Sequence, residues 1–231
     1  MSEATGAGRA PGAGEKDEKD DRRGVAVLRE LARRHGETFA QEAGITLKNT
    51  PQPLYRLLVL AVLLSARIRG SVAVAVAREL SGAGLRDPRR MAAAGRRARV
   101  DALGRGGYRR YDERTATQLG EGAELVIGRW GGDLRRLRAE AGGDVAALRG
   151  LLREVPGLGP AGADIFLREV QGVWPEVAPF LDAKALSGAE RLGLPSDPGR
   201  LTALAGGTGP EVLAAALVRA ALDKKVAGSV G

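Results

Sequence analysis

The stretch Val155–Asp182 holds the residues of this chain best placed to do chemistry. Pro156-Gly157-Leu158-Gly159 interrupts one apolar-periodic segment (Leu148, Leu151, Leu152, Val155), and a second (Ile165, Phe166, Val170) follows at once, so the spacing predicts helix, tight turn, helix. Glycines at 157 and 159 permit φ > 0, which lets backbone N–H groups point outward beside a helix N-terminus and receive an anion such as a DNA phosphate. Taken alone, a G-x-G between helices is more often a plain helix cap. Asp182 follows, where a carboxylate either caps a helix or stabilises positive charge on a reacting sugar and orients water. Asp164 and Asp112 are weaker carboxylate candidates, read as solvated or capping residues.

Composition narrows the chemistry. The 231 residues contain no cysteine and one histidine, His35, so disulfides, thiolate nucleophiles, cysteine-ligated zinc and iron–sulfur clusters are excluded, and a histidine triad or metal cluster is poorly supported. Neither metal nor cofactor is expected. Formal charge is +8, and residues 1–24 carry −1 of it, leaving +9 on the remainder, which suits a polyanion, most simply nucleic acid. A GC-rich coding bias is the competing source of that arginine. The densest basic stretch, Arg86 to Arg114, has ten arginines against Asp87, Asp101, Asp112 and Glu113. Inside it, Leu103-Gly104-Arg105-Gly106-Gly107-Tyr108-Arg109-Arg110-Tyr111 puts two of the chain's eight aromatics in one basic loop. Either the aromatic and arginine planes enter a duplex as a wedge, or the tyrosines tuck under a solvated arginine face.

The elements that must position these groups read as helices throughout, with no alternation of period two. Residues 1–24 mix small residues with alternating charge and are expected to be disordered. Order begins near Val25, where Val25, Leu28 and Leu31 recur at helical spacing. Pro53 sits in the first turn of a helix over Leu54 to about Arg67 that is apolar nearly all round and marks the bundle centre. Its longest apolar run, Leu57 to Ala66, is too short to span a bilayer, and no signal peptide is visible, so a cytoplasmic, nucleoid-associated protein without membrane contact is expected. Further helices are expected at about 71–80, from Pro88, over 112–130, from Asp144, from Asp182 through Leu192, over 198–205, and from Pro210 to about Val226.

Together these pieces resemble the helix-hairpin-helix DNA glycosylases, the superfamily of endonuclease III, over about Pro53 to Leu222. Three segments carry the likeness: L-V-L-A-V-L-L-S-A-R (58–67), similar to the family's core helix; G-G-Y (106–108), similar to its Gly-Leu-Tyr turn; and V-P-G-L-G-P-A-G-A (155–163) followed by F-L-D-A-K-A-L (180–186). The resemblance implies an all-α, two-lobed helical bundle, with a central lobe over about 53–170 and a second lobe from 25–52 plus 175–231. It also implies a monomer that flips a damaged or mismatched base out of double-stranded DNA and hydrolyses its N-glycosidic bond in base-excision repair. In that picture Asp182 is the catalytic carboxylate, and the backbone at Gly157, Gly159 and Gly162 holds a phosphate. Tyr108, Arg109 and Arg110 reach into the duplex, and Arg67 and Lys184 belong to the substrate pocket.

Departures from the family carry as much information. Where lyase members have lysine two residues after the second hairpin glycine this chain has Ala161, which implies base release without strand cleavage. Lys184 is a candidate substitute for that amine. Gly107 replaces the usual wedge leucine, and Arg67 replaces the glutamine that endonuclease III has at the end of the core helix. These departures also motivate a different reading, a catalytically silent relative that recognises abasic or distorted DNA.

Overall fold

The computed structural model describes residues 13–110 and 112–230, with side chains from residue 18 onward, and among these no strand occurs. Helix α1 (Ala13–His35) begins twelve residues earlier than the charge-rich composition suggests. Residues 13–24 are therefore helical rather than disordered, while residues 1–12 lie outside the described residues. Ion pairs explain part of the extension: Arg22 pairs with Glu18 one turn back, and Asp21 pairs with Arg200 at 2.8 Å on a distant helix. After the break at Gly36, the one-turn α2 (Phe39–Glu42) starts from a capping box in which Thr38 and Gln41 satisfy each other's backbone N–H.

Helix α3 (Pro51–Ser65) buries nine of its fifteen residues, from Leu54 to Leu63, and is the central element. Around it lie α4 (Gly70–Gly82), α5 (Pro88–Ala93), α6 (Arg96–Arg105) and α7 (Asp112–Trp130), then α8 (Leu134–Glu140) and α9 (Val145–Arg153). Arg99 on α6 is buried, and its Nε and Nη1 donate to the carbonyl oxygens of Ala116, Met91 and Ala94, tying α5, α6 and α7 together.

Helix α10 (Gly159–Val170) packs on α3 and α9 on one side and on α13 (Pro210–Leu222) on the other, so it belongs to both groups of helices. Helix α11 (Ala183–Arg191) packs mainly against α13, with α12 (Pro198–Ala205) and α14 (Lys224–Gly228) completing that side and α1 lying across it. Gly188 is what allows α11 to approach so closely. A Cβ there would overlap the Leu217 carbonyl oxygen and stand 2.8 Å from its carbon.

Candidate functional site

The expected hairpin is formed by α9, a turn over residues 154–158, and α10. Asp144 caps α9 by accepting from the Ala146 N–H at 2.8 Å. Gly157 and Gly159 have φ of +83° and +60°, a region that residues with a Cβ seldom enter. The N–H groups of Gly157, Gly159 and Ala161 donate to no acceptor among the described residues, which leaves three open backbone donors around the start of α10. Gly162 differs from this expectation. Its N–H bonds to Leu158 O at 3.0 Å inside the helix, and a Cβ would stand 2.8 Å from Leu158 Cδ1 and 3.3 Å from Ser65 Cβ. It is a packing glycine between α10 and α3.

Asp182 is the N-cap of α11: Oδ1 accepts from Ala185 N–H at 2.9 Å. Its Oδ2 accepts from Arg168 Nη1 at 2.6 Å, and the two side chains are 8% and 6% exposed. A carboxylate offers about four lone-pair sites. Two are occupied here, leaving room for one further donor on each oxygen. Asp182 borders a cleft of about 390 Å³ whose polar members are Asp164, Arg168 and Lys184 and whose walls include Phe39, Leu64, Ile68, Ile165, Val218 and Leu222. Leu222, at 60% exposure, is the chain's one exposed large apolar side chain among the described residues. Ala161 also lines this cleft, so the position where the resemblance calls for lysine borders the same space as Asp182 and offers a methyl group. Asp164 is neither solvated nor a cap. It forms a two-pronged pair with Arg149 of α9, at 2.5 and 2.9 Å, that fastens the two hairpin helices together.

Two positioning residues escaped the sequence reading. Arg168 holds Asp182 directly. Gln171 holds the segment that delivers it: its amide oxygen accepts from Phe180 N–H at 2.8 Å, while its NH₂ lies within 2.9 to 3.2 Å of the Arg168, Phe180 and Pro210 carbonyl oxygens. The available signal was Arg168-Glu169 set inside the apolar run Ile165 to Val170, since charged residues buried there need dedicated partners. Glu169 has them, accepting from the Ala40 and Phe39 N–H groups at 2.9 and 3.3 Å. Burial nevertheless raises its pKa, against the lowering effect of those bonds and of Arg168.

The remaining expected site residues are distributed elsewhere. Tyr108 is buried, and its hydroxyl lies 2.9 Å from Thr115 Oγ1, so it packs under the loop and is not at the surface to act as a wedge. The exposed part of that loop is Gly107, at φ +88°, with Arg109 and Arg110; Tyr111 lies outside the described residues. Arg67 does not share a pocket with Lys184. Helix α3 stops at Ser65 and the chain leaves it through an extended Ala66 (φ −72°, ψ 158°). Leu64 and Ile68 line the Asp182 cleft, while Ser65, Ala66 and Arg67 line another.

No family model matches the chain, and no curated protein matches it. Among solved structures it is similar to a trapped endonuclease III–DNA covalent intermediate in an estranged-adenine complex, at 18% identity over 70% of each chain with a TM-score of 0.44.

Proposed function

We propose that this chain is a monofunctional DNA glycosylase, a hydrolase of base-excision repair that acts as a monomer on double-stranded DNA carrying a damaged or mismatched base and uses neither metal nor cofactor. The supporting observation is the juxtaposition, along one helix, of unbonded hairpin amides at the start of α10 and a buried carboxylate, Asp182, held by Arg168 nearer its end.

The chemistry follows from that arrangement. A phosphate near the flipped nucleotide is anchored by the Gly157, Gly159 and Ala161 N–H groups and the α10 dipole. The C1′–N bond breaks with its electron pair leaving on the base, and positive charge develops on the deoxyribose. Asp182, with both oxygens fixed, is a preorganised negative charge for that cation. Water then adds its oxygen at C1′ and releases a proton, for which Asp182 is the nearby acceptor. The product is an abasic site, because Ala161 provides no amine for a Schiff base.

The buried Arg168–Asp182 pair favours a second reading, in which the carboxylate is structural and the protein recognises abasic or distorted DNA without chemistry. Both readings are tested by abasic-site formation across duplexes carrying uracil, a mismatched thymine, oxidised bases and alkylated bases, with wild type and Asp182→Asn compared at a temperature where circular dichroism shows both folded. Base release that vanishes in the variant while duplex binding persists supports catalysis by Asp182. Equal activity in the variant removes that assignment, and a silent panel with tight binding favours the second reading.

A further inference from the structure

The segment after α3 separates the Asp182 cleft from a second one of about 480 Å³, lined by Arg67, Arg114, Gln118, Thr115, Tyr108 and Gly157 among others. No carboxylate lines it. Neither guanidinium, and likewise not the Gln118 amide, has a partner among the described residues. The nearest acids in sequence are engaged elsewhere: Glu113 pairs with Arg96 at 3.0 Å, and Asp112 Oδ1 accepts from the Glu113 N–H at 2.9 Å. The hydroxyls of Tyr108 and Thr115 share one hydrogen bond. The unsatisfied side chains lining this space therefore include two cations and one side-chain amide. Such a set repels itself when empty and matches the charge and acceptor geometry of a phosphate, which takes guanidinium donors in pairs.

We infer that this second cleft is a phosphate receptor, in which Arg67 and Arg114 bind a backbone phosphodiester of the duplex on the face of the hairpin turned away from Asp182. Its position supports this occupant, because Gly157 belongs to the hairpin turn, and Ser65 Oγ, 2.7 Å from Val62 O and 3.3 Å from Gly157 O, ties that turn to the end of α3. A phosphate seated here would touch α3, α7 and the hairpin at once. Arg67 thus acts in strand anchoring rather than in base selection. The inference rests on the nucleic-acid reading but not on catalysis.

Two measurements test it on the full chain. Inorganic phosphate titrated into the free protein is expected to shift the amide resonances of Gly157 and Gln118, and the Arg67→Ala/Arg114→Ala variant to weaken that response at least tenfold. On an undamaged duplex the same variant is expected to flatten the plot of log binding constant against log salt by about one, with Arg29→Ala, an exposed arginine on α1, leaving it unchanged. Absence of phosphate-induced shifts overturns the receptor. Shifts accompanied by an unchanged salt slope overturn the DNA strand as its occupant in favour of a free phosphate or nucleotide. A silent lesion panel with the phosphate response intact counts against the glycosylase alone, whereas base release with no phosphate response counts against the receptor alone.

Discussion

Arg168 and Asp182 form a charge pair removed from water, 2.6 Å apart with both side chains under a tenth exposed, and cutting it from either side should destabilise the protein, most of all where a buried charge is left without its partner. With charge centres about 4 Å apart and an effective dielectric near 20, their attraction is about 4 kcal/mol. Arg168→Met leaves Asp182 buried without its partner and is expected to cost about 3–5 kcal/mol, a large share of the ~5–15 kcal/mol that stabilises an ordinary domain. Asp182→Asn is expected to cost less, about 2–3 kcal/mol, because its single amide oxygen can keep the cap on Ala185, while the NH₂ that replaces Oδ2 no longer accepts from Arg168. Combining Arg168→Met with Asp182→Asn in one chain strands no charge, so the double variant should be more stable than the two single losses summed, with a coupling of about 2 kcal/mol or more. Urea unfolding of the four proteins measures this cycle. Losses that add to within about 0.5 kcal/mol would refute the reasoning, since they would mean that the two groups do not depend on each other.

Gly188→Ala should force α11 away from the Leu217 carbonyl, costing about 1–3 kcal/mol and displacing Asp182 at the other end of the same short helix; a thermal melt within a degree of wild type would show that α11 can shift freely. Tyr108→Phe should lose about 1 kcal/mol through the stranded Thr115 hydroxyl with little effect on duplex affinity, whereas a large binding defect would return the ring to the DNA surface. Glu169, with a folded pKa raised above its ordinary 4.5, binds its proton more tightly folded than unfolded. Its contribution is therefore fully present below pH 4.5 and is lost as pH rises through the folded value, so Glu169→Gln should gain stability relative to wild type as pH rises across that window; parallel urea midpoints would count against it. Lys184 is exposed at the rim of the Asp182 cleft, and borohydride treatment during base release should trap no covalent DNA complex; a trapped complex that disappears in Lys184→Ala would make the enzyme a lyase.

The all-helical class, the hairpin, and the caps at Asp144 and Asp182 were legible in the sequence because each depends on short-range spacing: apolar residues at helical period, glycine where φ must be positive, and an acidic side chain reaching a backbone N–H two or three residues on. The first helix was misread at its start because six acidic and five basic residues look solvated along the chain, while the Asp21 partner, Arg200, is supplied from far away. What the tertiary structure alone decided was which of these groups meet. The end of α3 at Ser65 sent Arg67 to a different cleft from Lys184, and packing buried Tyr108 beneath the loop that carries it. The buried Arg168 made Asp182 one half of an ion pair. Each of those outcomes turns on a partner more than a helical turn away in the chain or on the direction of a single extended residue, and local periodicity carries no information about either.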